Sequence, residues 1–256
     1  MKKIKTIDNI RTRSQDFKNS RCFILRVLYH LLRIFYNGSK FLFIKSYRLH
    51  TTSRILHSNH FHQLSTYTEE DRYPELFEIC KEFLKNKNNQ KILSFGCSTG
   101  EEVFSLNEYL TQAQIIGTDI NKWCINECRK KNKSANNLFV HSKSKKFSRL
   151  NNFDAIFCMA VFQHPENRED VNETATKYSF ERFEKEIVNL DKKLKVGGLL
   201  IIDHCDFNLM ETIVAINYEP LKCDNNKTIR DRPVYNSSNQ RISSVTYLNR
   251  VFVKMQ

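Results

Sequence analysis

The stretch KILSFGCSTGEE, residues 91–102, decides the fold, because an apolar run is followed there by two glycines and then by acidic residues. The apolar run predicts a short buried strand, Gly96 and Gly100 mark a tight turn, and the acidic residues begin a helix. A second apolar run, IIGTD, ends on Asp119, nineteen residues after Gly100. In a doubly wound sheet, a glycine turn after one strand and a carboxylate at the end of the next form the site for a nucleotide ribose. The sequence therefore predicts an enzyme-like α/β domain.

The same alternation of apolar runs and helical patterns continues on both sides of this stretch. Gly197 and Gly198 are expected to end a last helix, and the closely spaced apolar residues of 242–254 predict a hairpin of final strands. Strands that are apolar almost throughout, alternating with helices, indicate a mostly parallel sheet covered on both faces. The predicted elements are helices over 74–84, 99–110, 121–131 and 179–195, and strands over 91–95, 114–119, 137–141, 153–159 and 199–203.

Composition indicates a globular protein with one full-sized core and an appendage, since 40% of the 256 residues are hydrophobic and 27% are charged. The eight cysteines follow no regular spacing and include no Cys-x-x-Cys pair. We therefore expect thiols packed as small core residues, a reducing and cytoplasmic compartment, and no metal site. His57, His60 and His62 lie close together, but without a neighbouring carboxylate or thiol they are interpreted as loop histidines.

The net charge of +13 is concentrated at the N-terminus. Residues 1–60 hold thirteen Lys and Arg against only Asp8 and Asp16, a net charge of +11. We expect 1–60 to be a basic helical arm, a linker within 45–66, and a catalytic domain over 61–256. Such an arm attracts an anionic membrane surface, a nucleic acid or an acidic partner, and it can also be a solvated tail.

An amphipathic helix is predicted over 22–36. Arg26, His30, Arg33 and Asn37 share one face of it, and the other side chains are mainly apolar. A helix of this kind packs on the domain or a second subunit, or lies at a membrane interface as a peripheral anchor, while charges make a spanning helix costly. The polar first 20 residues do not resemble a cleavable signal peptide.

Four motifs in this order resemble the class I S-adenosylmethionine-dependent methyltransferases. They are the Gly-x-x-x-Gly turn, the acidic end of the second strand, the FDAIF strand at 153–157, and LKVGGLLII at 194–202. The resemblance covers roughly residues 70–205 and implies a Rossmann-like, seven-stranded sheet whose last strand is antiparallel. It also implies S-adenosylmethionine as the cofactor. The cofactor stretch is locally similar to the chemotaxis-receptor glutamate methyltransferases, although Ser94 and Ser98 replace the acidic residue and the third glycine usual in the wider family.

The resemblance implies a role for each residue of a cofactor site. The turn lets backbone approach the methionyl part, Asp119 accepts both ribose hydroxyls, and Ile120 lies beside the adenine. Glu101 or Glu102 is expected near the cofactor's amino group, and Arg72 near its carboxylate. Helix capping by Asp119, a core position for Ile120 and a surface arginine at 72 are the alternatives. The expected cofactor-binding residues are Gly96, Cys97, Ser98, Gly100, Glu102, Asp119, Ile120 and Arg72.

Candidate catalytic residues follow the later strands. His164 comes after the strand at 153–159, at the sheet edge where doubly wound proteins bind substrates, and its imidazole suits a general base for a hydroxyl or amine. Asp203 and His204 follow the next strand and are second candidates for acid–base chemistry. A histidine packed on Pro165 and strand-end capping are the corresponding structural alternatives.

These residues favour a methyltransferase that acts on an oxygen or nitrogen of a small molecule or glycan precursor. One alternative is an RNA or protein methyltransferase that uses the basic arm, although MAVFQHP at 159–165 lacks the Asn/Asp-Pro-Pro-Tyr/Phe signature. The other is a non-catalytic scaffold with a methyltransferase-like fold. The pattern predicts neither the acceptor nor the oligomeric state.

Overall fold

The computed structural model describes residues 22–56, 62, 66–164, 172–174, 178–223, 227–229, 233–242 and 247–256. The chain divides into two units, Met1–Ile55 and Leu56–Gln256. The expected boundary between residues 60 and 61 lies outside the described residues, and so do His57, His60 and Pro165.

The described part of the first unit is helical. Helix α1 spans Phe23–Phe43, which confirms the helix predicted from residue 22 and extends it, and α2 spans Lys45–Leu56. Of the range 45–66 in which the linker is expected, residues 45–56 are helical. None of the side chains of α1 is buried. A search of the described residues found no helix with the length and apolar character needed to cross a membrane.

The second unit is built on a seven-stranded sheet whose strands appear in the order β3-β2-β1-β4-β5-β11-β6. The first five strands are parallel, and β11 runs antiparallel to both β5 and β6. This confirms the doubly wound, mostly parallel sheet with an antiparallel last strand. The strands are β1 (Lys91–Phe95), β2 (Gln114–Asp119), β3 (Asn137–His141), β4 (Phe153–Met159), β5 (Leu194–Asp203), β6 (Tyr218–Pro220) and β11 (Val251–Lys254).

The four helices that the apolar periodicity predicts flank this sheet, with ends within two residues of the prediction for the first three, and the short helix Lys145–Ser148 is not among those predicted. Short 3-10 turns occur at Leu209–Glu211 and Ala215–Asn217. The side chain of Asn121 accepts a hydrogen bond from the backbone of Trp123 and so caps the helix that follows β2. The helices are α3 (Pro74–Leu84), α4 (Glu101–Tyr109), α5 (Lys122–Lys131), α6 (Lys145–Ser148) and α7 (Phe180–Asp191).

The predicted end of the last helix is wrong. The helix α7 ends at Asp191, and Leu194, whose spacing from Leu190 fits a helix, begins β5 and pairs with Phe153. The ammonium group of Lys254 in β11 donates to the carbonyl oxygen of Asp191 at 2.7 Å, which satisfies a group that the helix end leaves open. The two glycines lie inside β5, and Gly197 has φ +74° where the strand bulges.

The final hairpin is also wrong. The strand β10 (Tyr247–Asn249) pairs with β7 (Lys227–Ile229), whereas β11 pairs with β5 and β6 in the main sheet. A further small pair joins β8 (Val234–Tyr235) to β9 (Arg241–Ile242). Apolar alternation predicts a strand but not the strand with which it pairs. Here the burial of Phe252 favours the place of β11 in the main sheet.

The core lies on both faces of the sheet. Successive residues of β1 and β4 alternate between two apolar clusters, with Leu93 and Ile156 on one side and Ile92 and Phe157 on the other. Every residue of β4 is buried, as expected for the centre of a parallel sheet. Six cysteines are buried, which confirms their use as small core residues: Cys80, Cys97, Cys124, Cys128, Cys158 and Cys205.

Candidate active site

A cleft opens where the carboxyl ends of β1, β2 and β4 meet, at the edge where this class of sheet binds ligands. Its floor is the turn after β1 and the end of β2, and one wall is formed by Met159 at the end of β4 and by Ala160 and Val161 after it. The segment 66–73 before α3 forms the opposite wall through most of its residues. All of these elements belong to the second unit.

The turn after β1 requires its glycines. Gly96 has φ +79°, and a Cβ atom there would lie 2.4 Å from Cγ2 of Val161. Gly100 has φ +99° and closes the turn before α4, where a Cβ atom would lie 2.9 Å from the ring of Phe104. The backbone N–H groups of Gly96 and Cys97 both donate to the carbonyl oxygen of Thr118, at 2.8 and 2.9 Å. The turn is therefore held against the end of β2 with its backbone open to the cleft.

Asp119 joins the turn to the helix α5. Its carboxylate accepts the backbone N–H of Ser98 at 3.0 Å on one oxygen and that of Asn121 at 2.7 Å on the other. Burial raises the pKa of Asp119 to about 6, although backbone hydrogen bonds act in the opposite direction. Because Asn121 caps α5 with its own side chain, the cap does not need the carboxylate of Asp119. Two fixed oxygens at the cleft suit a vicinal diol.

A second carboxylate, Glu102, also lines the cleft. The hydroxyl of Ser94 donates to it at 2.7 Å, and Ser94 is fully buried in β1. Burial raises the pKa of Glu102 to about 7, while the hydrogen bond from Ser94 and the charge of Arg72 lower it. The family usually has an acidic residue at the position of Ser94. In this chain Glu102 supplies an acidic group beside that serine.

Ser98 and Arg72 connect the turn to the opposite wall. The hydroxyl of Ser98 donates to the carbonyl oxygen of Thr66 at 2.7 Å and so ties the segment 66–73 to the turn. Ser98 itself has φ +47°, a conformation that is uncommon for a side-chain-bearing residue. The guanidinium of Arg72 lies 5.7 Å from the ring centroid of Tyr67 and 5.2 Å from that of Tyr73.

The structure brings most of the expected cofactor residues into one cleft. Gly100 is not among the lining residues and acts through the shape of the turn. Cys97 is buried, and burial raises the pKa of its thiol, so this residue contributes backbone and volume rather than a thiolate. The residues that line the cleft are Arg72, Gly96, Cys97, Ser98, Glu102, Asp119 and Ile120.

The three expected catalytic residues do not line this cleft. The backbone N–H of His164 donates to Asp206 at 2.8 Å. Asp203 is 3% exposed and lies 3.4 Å from the guanidinium of Arg250. The ring of His204 packs against Tyr73, with centroids 5.7 Å apart, and its Nδ1 lies 3.4 Å from Asp203. Their catalytic roles stay predictions.

His62 and Glu186 also line the cleft, and the sequence pattern did not predict them as site residues. His62 lies beside the rings of Phe95 and Phe162, and its Nδ1 is 2.7 Å from the hydroxyl of Tyr178. Its Nε2 is 3.7 Å from the carboxylate of Glu186 in α7. No local motif joins His62 to Glu186, since only the fold brings these distant parts of the chain together.

The two raised carboxyl pKa values predict a pH dependence of stability. Because the folded state holds protons on Asp119 and Glu102 more tightly than the unfolded chain does, the contribution of these groups is largest below their unfolded pKa values. This contribution is lost as the pH rises through about 6 to 7. We expect the Tm of the ligand-free protein to fall between about pH 5 and pH 8 more steeply than that of an Asp119→Asn, Glu102→Gln double variant. Parallel pH profiles of Tm for the two proteins would contradict this.

Residues 86–249 match the model of a family described as a methyltransferase domain. No curated protein matches the chain.

Among the solved structures that are similar to this chain are three whose sequence identity to it is low. The plantazolicin methyltransferase BpumL in complex with SAH is 15% identical, with a TM-score of 0.38, over 65% of this chain and 56% of that one. A TehB-like SAM-dependent methyltransferase from Corynebacterium glutamicum is 17% identical, with a TM-score of 0.41, over 70% of this chain and 87% of that one. The PH0226 protein from Pyrococcus horikoshii is 21% identical, with a TM-score of 0.36, over 54% of this chain and 61% of that one. The chain thus spans little more than half of the length of the BpumL protein.

The family match covers well over half of the 256 residues, and the chain therefore belongs to the S-adenosylmethionine-dependent methyltransferase family. This confirms the resemblance carried by the glycine turn, Asp119 and the later strands. The methyl donor of that family is S-adenosylmethionine.

Proposed function

We propose that this protein transfers a methyl group from S-adenosylmethionine to an oxygen or nitrogen atom of a small molecule or glycan precursor. The observation that carries this proposal is that the turn at Gly96 and the carboxylate of Asp119 meet in one cleft. The pair of His62 and Glu186, 3.7 Å apart, lines the same cleft and would serve as acid and base. The residues of the cleft fit the donor, since they offer acceptors for a diol and an ammonium group and a cation for a carboxylate.

Each part of the donor has a matching residue. Asp119 would accept the two ribose hydroxyls, and Ile120 and Asn121 would border the adenine. Glu102 would accept the ammonium group, which favours the charged carboxylate and lowers its raised pKa. Arg72 would pair with the carboxylate. When bound, the donor supplies an electrophilic methyl group on a sulfonium, so the protein's task is mainly to position and desolvate the reactants.

The acceptor end of the cleft supports an acceptor that loses a proton. The aromatic ring of Phe95 and the side chain of Val161 line it with apolar surface that excludes water. Nε2 of His62 would take the proton of a hydroxyl or amine while Nδ1–H donates to the hydroxyl of Tyr178, and Glu186, at 3.7 Å from Nε2, would stabilise the imidazolium that forms. Tyr178 fixes the ring through Nδ1.

A paired substitution tests this assignment. We expect His62→Asn to lower kcat by about a hundredfold, the usual contribution of a general base, with little change in the affinity for S-adenosylhomocysteine. His164→Asn is the matched control, and its kcat should stay within about threefold of the unchanged protein. If His164→Asn is the impaired variant, the base is the residue that the sequence pattern favoured. Methyl transfer from labelled donor supplies the rates, and calorimetry supplies the affinity.

The class of acceptor is tested by transfer of a labelled methyl group into fractionated cell extract. We expect the label in the small-molecule fraction. Label in RNA or protein, lost on removal of residues 1–60, would support a macromolecular acceptor that the basic arm recruits. Binding of S-adenosylhomocysteine without transfer to any fraction, or the lack of such binding, would favour a scaffold.

A further inference from the structure

We propose that helix α1 lies flat on an anionic membrane surface, with one face inserted between the lipid headgroups and the other facing the phosphates. This partner is separate from the methyl-transfer site and does not depend on the proposed acceptor. The inference rests on α1 itself and on the charge of the chain around it.

The apolar face of α1 is broad and exposed. With about 100° of rotation per residue, five large apolar residues fall on one side of the helix. Their exposed fractions lie between 49% and 77%, and none of the side chains of α1 is buried. Exposure of such a continuous apolar surface to water costs free energy, so we expect this face to bind a partner. The five residues are Ile24, Leu28, Leu31, Phe35 and Leu42.

A narrow polar stripe runs along the opposite side of α1 for most of its length. Tyr29 and Tyr36 lie at the border between the two faces, where an amphipathic ring suits a membrane interface. Because the stripe extends from the first turn to the last, a helix crossing the bilayer would carry these groups through its centre, whereas a helix along the surface keeps them in water. The stripe consists of Arg26, His30, Arg33, Asn37 and Lys40.

The charge around α1 identifies the chemistry of the surface. Residues 17–68 contain eight Lys and Arg and neither Asp nor Glu. A segment with this charge is attracted to phosphatidylserine and other anionic headgroups and repelled by a surface of like charge. The combination of a basic stripe and a larger apolar face fits a lipid surface, which offers phosphates and hydrocarbon within one helix diameter.

Other occupants satisfy only one of these two features. A nucleic acid would neutralise the basic stripe but would leave the larger face, centred on Leu31 and Phe35, in water. A second copy of the chain would cover the apolar face but would bring another segment 17–68 of the same positive charge. Both are outcomes of the experiment below.

The experiment is co-sedimentation of the full chain with vesicles of phosphatidylcholine alone or with about a quarter of phosphatidylserine. We expect binding to the mixed vesicles, weakened by salt, and at least about tenfold weaker binding to phosphatidylcholine alone. A Leu28→Gln, Phe35→Gln variant should bind the mixed vesicles at least about tenfold more weakly, since two large apolar side chains no longer insert. Ile216→Gln is the matched control, because Ile216 is 80% exposed in the other unit, and it should bind as the unchanged protein does.

Folding of the variants is checked independently. Glutamine is a good helix former, so the helical circular dichroism and the thermal stabilisation by S-adenosylhomocysteine should not change. A Phe35→Trp variant gives a second readout, since its indole fluorescence should shift to shorter wavelength when mixed vesicles are added. Equal vesicle binding by the glutamine variant, or an unshifted indole, overturns the proposal. If no vesicle binding is found, the proposal is also overturned by a dimer that the glutamine substitutions dissociate, or by binding of the chain to RNA.

Discussion

Asp119→Ala is expected to weaken the binding of S-adenosylhomocysteine by about a hundredfold, the equivalent of losing two hydrogen bonds to a charged group. The carboxylate stands at the end of β2 with one oxygen toward the turn and the other toward α5, so its position is fixed before a ligand arrives. Calorimetric titration and the ligand-induced rise in Tm both measure the loss. At a ligand concentration that saturates the unchanged protein, the variant should show almost no rise in Tm.

The alanine variant also removes the acceptor for the backbone N–H groups of Ser98 and Asn121, so a distorted turn could mimic a lost ligand contact. Asp119→Asn separates the two effects. Its amide oxygen keeps one acceptor of similar shape, and we expect binding between that of the alanine variant and that of the unchanged protein. Asp71→Asn is the control, because Asp71 is exposed and does not line the cleft. Unchanged affinity in a natively folded Asp119→Ala protein would remove the ribose role.

The parts of this fold that the sequence predicts are those in which neighbouring residues determine the structure. The strand β1, the turn and the start of α4 are continuous in sequence, and each glycine is needed by the backbone where it stands. Asp119 is the last residue of the next strand, so the parallel pairing of β1 with β2 brings it to the turn. The placement of these residues in one cleft could therefore be predicted residue by residue.

The contact between His62 and Glu186 could not be predicted, since the two residues come from distant segments. The sequence groups His62 with His57 and His60 as loop histidines, and Glu186 lies in α7 without a distinctive spacing. The end of α7 is similar, because the side chain that satisfies Asp191 is Lys254, close to the C-terminus of the chain. A helical spacing of leucines continues past that point and conceals the boundary.

The two serines that depart from the family pattern have physical roles in this chain. Ser94 presents a hydroxyl to Glu102, so the acidic group is supplied from α4 rather than from β1. Ser98 takes a backbone conformation that glycine adopts more easily, and its hydroxyl holds Thr66. The strain at Ser98 is thus offset by a contact that closes the segment 66–73 over the cleft. Both departures couple the turn more tightly to its surroundings, which argues for a working cofactor site over a decayed scaffold.

Arg250→Leu is expected to lower the free energy of unfolding by about 3–5 kcal/mol. The guanidinium of Arg250 lies 2.8 Å from the carboxylate of Glu75 in α3 and 3.4 Å from that of Asp203 at the end of β5. The side chains of Arg250 and Asp203 are 9% and 4% exposed, so leucine leaves a buried carboxylate without this cation. For a unit of this size, the Tm should fall by about 10 °C.

A double-mutant cycle with Asp203 tests the physical reason for that loss. Asp203→Asn removes the buried negative charge, so adding it to Arg250→Leu should restore part of the Tm, and a further decrease would contradict the ion-pair explanation. Arg149→Leu, at an exposed arginine, is the matched control and should change the Tm by no more than about 2 °C.

The same variants test the expected catalytic role of Asp203. If Asp203→Asn lowers kcat far more than it lowers stability, then the carboxylate acts in the reaction. If both decrease together and the affinity for S-adenosylhomocysteine is unchanged, then the ion pair with Arg250 explains why an acidic residue ends β5.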